Sequence, residues 1–181
     1  MSMRITSALV GFLLLSTACS GNTAGDSSDS NETVSAEVSS KMRTLTKQQA
    51  SERADKHIHQ AVSALPVEPS LRLHDDSATE CQDPTDGGPR GRYEVGKTFW
   101  LDELSPERNT EFVDALYKHW SENGYSVLSD KRSSNDKYVW VENPNDSFRM
   151  SVQQSKNGDL SLTATSPCVW PEGAPPSEAN Q

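Results

Sequence analysis

The chain has 181 residues, and its 26 acidic against 17 basic side chains leave a formal net charge of −9. An acidic surface of this kind repels phosphate backbones and anionic lipid head groups, which argues against nucleic acid as a partner and against a polybasic membrane contact. The length available for a folded region, from Lys41 to Pro171, suits one domain with one core, and no internal repeat divides it.

Arg4 supplies a positive start, Ala8 to Leu15 form a short apolar run, and the small residues Ser16, Thr17 and Ala18 lead into Cys19. A helix rising about 1.5 Å per residue needs roughly 20 apolar positions to cross a bilayer. The run is too short for that, so residues 1–18 read as a signal peptide that is removed. Leu15-Ser-Thr-Ala-Cys19 resembles the lipobox of bacterial lipoprotein precursors, with Ser16 standing where that pattern usually has an aliphatic residue. The resemblance implies that the Cys19 thiol carries a diacylglyceryl group and becomes the mature N-terminus. Membrane lipid is then the first expected partner, held through fatty-acyl chains at about 0.8 kcal/mol per buried CH₂. It further implies an extracytoplasmic location at the cell membrane. Loss of residues 1–18 removes one basic side chain, leaving 16 basic against 26 acidic ones and a net charge of −10.

Ser20 to Ser40 contains seven serines, four acids, no Lys or Arg and no aromatic residue. Such a stretch cannot bury enough surface to offset its ordering entropy, so residues 19–40 read as a lipidated cysteine followed by a flexible tether. A chain of that length has a root-mean-square reach of roughly 25 Å.

Thr46-Lys-Gln-Gln49 is a capping box, and Ala50, Ala54, Ile58, Ala61, Val62 and Leu65 recur on one helical face until Pro66. The segment from Pro66 to Arg90 reads as a long loop. Tyr93, Val95, Phe99 and Leu101 then alternate with Glu94, Thr98 and Trp100 as a half-buried strand. Ser105-Pro106 predicts the start of a second helix, with Phe112, Val113, Leu116, Tyr117 and Trp120 as its apolar face and Asn123-Gly124 as its end. Four strands follow: Tyr125 to Ser129, Tyr138 to Glu142, Phe148 to Gln153 and Leu160 to Thr165, the last two joined by Asn157-Gly158. This order predicts an α+β fold, an antiparallel sheet of about five strands with two helices packed on one face. Residues 41–171 form the domain and 172–181 a frayed tail.

With Cys19 acylated, Cys81 and Cys168 remain in an oxidising compartment and are expected to form a disulfide. The bridge would remove on the order of 4.6 kcal/mol of unfolded-state entropy in the loop-closure model. Because Cys81 precedes the strand at Tyr93 and Cys168 follows the last strand, their Cα atoms must come within about 7 Å. Those two strands should therefore be neighbours or nearly so.

Gly91-Arg-Tyr-Glu-Val-Gly-Lys-Thr98 matches the phosphate-loop pattern GxxxxGK[ST], but the motif works only between a preceding strand and a following helix. Here a turn-rich loop precedes it and strand-period residues run through it, so nucleotide is excluded. His57 and His59 point about 200° apart on a helix and cannot share an ion; both read as solvated. His74, Asp75, Asp76 and Glu80 read as a charge-rich loop. No metal or cofactor is expected, nor do GxSxG or HExxH occur. Asp102 and Glu103 are the acids an envelope hydrolase would use, yet no nucleophile accompanies them.

Trp100 falls on the polar parity of its strand, and either Tyr138 with Trp140 or Val139 with Val141 must face the side away from the helices. These three aromatics are the candidate ligand contacts on a sheet face away from the helices. The element order and the ending Ser166-Pro-Cys-Val-Trp-Pro171 resemble uncharacterised lipoproteins of high-GC Gram-positive bacteria. That resemblance implies an envelope location and one α+β domain and transfers no catalytic residue. The expectation is a non-enzymatic binding module for an envelope protein, peptide or glycan, working through the sheet face or the loop from Pro66 to Arg90, with a hydrolase or a structural spacer as rivals.

Overall fold

In the computed structural model of the chain, residues 44–82 and 87–176 are described. Cys19, the signal peptide and the tether lie outside the described residues.

Thr46 and Gln49 close the capping box reciprocally: the Gln49 amide donates to Thr46 Oγ1 at 3.1 Å, and the Thr46 amide donates to Gln49 Oε1 at 3.0 Å. They open helix α1, Lys47–Val62. Its buried stripe of Ala50, Ala54, Ile58, Ala61 and Val62 is made mostly of small residues, which lets the helix lie close over the sheet. Lys97 ties it down with an ammonium 2.7 Å from Asp55 of α1 and 3.4 Å from Asp76.

The second helix starts one turn later than its Ser-Pro signal suggests. Pro106–Arg108 is a 3₁₀ turn, and α2 runs Asn109–Glu122. Ser105 spends its hydroxyl on the Glu107 carboxylate and caps no backbone amide. Phe112, Val113, Leu116 and Trp120 are buried, and Asn109 Nδ2 donates to the Gly158 carbonyl at 2.6 Å, joining α2 to a sheet turn. Gly124, at φ +77°, follows the helix end.

The sheet has six antiparallel strands: β1 Ser70–Glu80, β2 Tyr93–Asp102, β3 Ser126–Asp130, β4 Tyr138–Glu142, β5 Arg149–Gln154 and β6 Leu160–Thr165. Their spatial order is β1-β2-β6-β5-β4-β3. The last four strands form the expected meander, and both helices lie on one face, α1 over β2 and β6, α2 over β4 and β5. Val95, Leu101, Val139, Val141, Met150, Val152, Leu160, Leu162 and Ala164 point into that layer and make the core with the helices.

The sixth strand corrects the sequence reading, which took 66–90 as a loop. β1 is an 11-residue edge strand whose residues are all exposed save half-buried Leu71. It carries no long apolar alternation, and a bulge between Leu73 and Asp75 resets its parity. Its charges also blunt a free edge against pairing with other chains. His74, Asp75, Asp76 and Glu80 thus stand on a strand. Lys97 takes Asp76 on the helix side, whereas Asp75 accepts from the Ser77 hydroxyl at 2.6 Å.

Cys81 and Cys168 form a disulfide, with Cα atoms 6.3 Å apart across 87 positions of sequence. β2 and β6 are neighbours, in line with that bridge. The chain beyond β6 folds back over the start of α1: Trp170 is buried, its amide donates to Thr44 Oγ1 at 2.7 Å, and the Thr44 amide donates to the Gly173 carbonyl at 2.9 Å. Packed structure therefore continues past Pro171.

Candidate ligand-binding face

The helices cover one side of the sheet, and the register dictates what the other side carries. One cross-strand row reads Arg72, Trp100, Ser161, Gln153, Tyr138; the next reads Asp75, Thr98, Thr163, Ser151, Trp140. A third reads Ser77, Gly96, Thr165, Arg149, Glu142. Side chains alternate across a strand, so all these residues share the face opposite Val95, Leu162, Val152 and Val139. Across β1, β2, β6, β5 and β4 the pairing places no aliphatic side chain on it.

Trp100 and Tyr138 lie in one row, three inter-strand steps or about 14 Å apart. Trp140 stands in the next row on the Tyr138 side. Between these aromatics lie the short hydroxyls of Thr98, Thr163, Ser151 and Ser161 and the longer, exposed Gln153 beside Tyr138, with Thr98 and Thr163 hydrogen-bonded to each other at 3.0 Å. The face is a shallow trough with an aromatic residue on one flank, two on the other, and a bed of hydroxyls. All three aromatics are half-buried. His74 packs its ring 5.1 Å from that of Trp100, so the segment read as a loop does support this tryptophan, through the bulge of β1. Arg149 sits 5.7 Å from the Trp140 ring and pairs with Glu142 at 2.8 Å. Burial raises the pKa of Tyr138, so its phenol remains a neutral donor at physiological pH.

Charges along the face are largely matched in pairs. Arg72 donates to both Asp102 oxygens, at 2.6 and 3.0 Å, and that hydrogen bonding holds the Asp102 carboxyl below the usual range. A carboxylate so held is a poor proton donor near neutrality. Glu103 is exposed in a left-handed turn at φ 66°. Asp102 is thus tied to Arg72 while Glu103 stands exposed on the turn.

At the end of the trough nearest the disulfide lies a cleft of about 230 Å³, lined by Glu94, Glu142, Ser147, Arg149, Ser166 and Cys168 among others. Glu142 already satisfies Arg149. Glu94 has no ion-pair partner among the described residues, so the cleft keeps a surplus negative charge.

The helical layer holds the polar network that sequence reasoning missed. His57 is buried, not solvated: its Nδ1 lies 3.0 Å from the Tyr125 hydroxyl and its Nε2 2.9 Å from Asp146 Oδ2. A carboxylate only accepts, so Nε2 donates to Asp146, while Nδ1 and the Tyr125 hydroxyl share the second hydrogen bond. Burial, the largest influence, raises the Tyr125 pKa, keeping the phenol protonated for that bond. Arg53 adds a longer contact of 3.6 Å to Asp146. A shallow groove along α1 exposes part of this cluster, but both ring nitrogens are occupied and no serine or cysteine nucleophile lines the groove. The arrangement fastens α1 to the β4–β5 turn. His59, two positions on, is exposed, in line with the opposite directions of the two rings.

The Gly91 to Thr98 match to a phosphate loop lies largely in β2, with Lys97 committed to Asp55 and no helix following. Among the described residues no cluster of His, Cys, Asp or Glu is arranged to hold a metal, and no helix is long and apolar enough to cross a membrane. No protein family, curated protein or solved structure matches the chain.

Proposed function

We propose that the chain is a lipoprotein held at the outer face of the cytoplasmic membrane through acylated Cys19, and that it works without catalysis as a binding module of the cell envelope. The open sheet face is its contact surface. Support for the anchor comes from the apolar leader ending in Leu15-Ser-Thr-Ala-Cys19 and from the tether of serines and acids behind it. One observation carries the binding reading: Trp100, Tyr138 and Trp140 stand together on the face away from the helices, half-exposed over a hydroxyl floor. A purely structural spacer has no need for aromatic rings on that side, and burying them against a partner removes apolar surface from water.

The test is a photo-crosslinking residue placed at Thr163, in the middle of the floor, in the full chain expressed in intact cells. An adduct with an envelope protein, peptide or glycan is expected, together with recovery of the chain in the membrane fraction with an acylated first residue. A chain found wholly in the culture fluid defeats the anchor. Absence of any Thr163 adduct defeats the binding face.

A further inference from the structure

We infer that the ligand of this face is an oligosaccharide, uncharged or amine-bearing and not acidic, lying across the trough between Trp100 and Trp140. The inference rests on reading the open sheet face as the binding surface, and the chemistry of that face selects among ligand classes.

A folded protein partner is best matched by an interface core of apolar side chains with charge pushed to the rim. This face offers the reverse, since its middle is made of hydroxyls and the Gln153 amide and no aliphatic side chain from β1, β2, β4, β5 or β6 points to it. An amphipathic helix would have no groove of Leu or Met to fill. A peptide adding itself as a strand would use a sheet edge, not the face. A sugar chain fits each part. Its rings present C–H groups along one side, which pack against the electron-rich faces of tryptophan, while its equatorial hydroxyls need donors and acceptors that switch roles freely. Thr98, Ser151, Ser161 and Thr163 supply that exchange, and the neutral Tyr138 phenol adds to it.

The separation sets the size. About 14 Å between the aromatic flanks is wider than one ring, so a chain of several sugars is needed to touch both. Electrostatics sets the charge. Arg72 and Arg149 are each neutralised by a carboxylate, and Glu94 at the cleft closing one end of the trough is not. An acidic sugar therefore meets surplus negative charge there, whereas an ammonium substituent gains a counter-ion.

Calorimetric titration of the full chain with N-acetylated chitotetraose, its de-N-acetylated counterpart and tetragalacturonate tests this, with tryptophan fluorescence as a second readout. The first two should bind with an emission change and the anionic one should not. Trp140→Ala and Trp100→Ala should each weaken binding roughly tenfold or more. Glu94→Gln should abolish any preference for the amine form. Ser151→Arg, which fills the floor without touching the core, should block binding while leaving the far-ultraviolet circular dichroism unchanged. Binding of tetragalacturonate equal to the others overturns the charge assignment. Failure of all three sugars overturns the oligosaccharide assignment. The Thr163 crosslink then separates the cases: a protein adduct keeps the face as a binding surface and removes the sugar, and no adduct removes both.

Discussion

Replacing His57 by Ala should unfasten α1 from the sheet turn it holds, and the cost follows from the bonds removed. The imidazole links Asp146 at 2.9 Å and Tyr125 at 3.0 Å from a position only 7% exposed. A hydrogen bond to a charged group contributes about 1.5–3 kcal/mol and one between neutral groups about 0.5–1.5 kcal/mol. Loss of both gives about 2–4.5 kcal/mol, a large share of the stability of a domain this size. Urea denaturation followed by circular dichroism should show a lower midpoint with an unchanged slope. Combining His57→Ala with Asp146→Asn in a double-mutant cycle should give a coupling of about 1 kcal/mol or more. The exposed Lys118–Glu122 pair, at 3.8 Å, should give under about 0.5 kcal/mol in the same assay. A His57→Ala protein within about 1 kcal/mol of the parent, or a coupling no larger than that of the exposed pair, would refute the reasoning.

Gly158 has φ +93°, and an added Cβ would meet Pro106 Cβ at 3.1 Å, so Gly158→Ala should cost about 1–3 kcal/mol by thermal melting. Gly96→Ala, whose Cβ meets only Ser77 Oγ at 3.7 Å, should be close to neutral. Reducing Cys81–Cys168 should lower the unfolding free energy by about 2–5 kcal/mol, measured as urea midpoints with and without reductant. Burial alone would lower the Lys97 pKa, but hydrogen bonds and the charges of Asp55 and Asp76 outweigh it and raise the value above 10.5. A raised folded pKa means that this contribution is complete below pH 10.5 and disappears as pH climbs through the folded value. Tyr125 and Tyr138, also raised, act with the same sign. Alkaline titration of the urea midpoint should therefore fall above that pH, and Lys97→Met should flatten part of the fall.

The elements with a regular period were legible in the sequence. Thr46 and Gln49 announced α1, the apolar face from Phe112 to Trp120 announced α2, and the alternation in β2, β4, β5 and β6 announced half-buried strands. It paired Tyr138 with Trp140 but left open whether they or Val139 and Val141 face the helices, which the strand pairing decides. The cysteine argument made β2 and β6 neighbours or nearly so, and the pairing makes them adjacent. β1 was illegible because an exposed edge strand needs no apolar stripe, and its bulge at His74 breaks what parity Leu71 and Leu73 begin. His57 was hidden for a related reason. A buried polar residue on an alanine-rich helix shows itself only through partners 68 and 89 positions away in sequence. Asp146 sits in an Asn-Pro-Asn-Asp turn that reads as ordinary turn chemistry, and nothing local ties it to α1. The trough likewise depends on strand order, which puts β6 and β5 between the tryptophans and makes their small hydroxyls its floor.

Hydroxyl-radical footprinting of the aromatic residues, in intact cells and on the purified full chain, tests the binding face most directly. Trp100, Tyr138 and Trp140 should be protected together in the cell, while Tyr117 on the helical layer should be labelled equally in both settings. Equal labelling of all four would contradict the account.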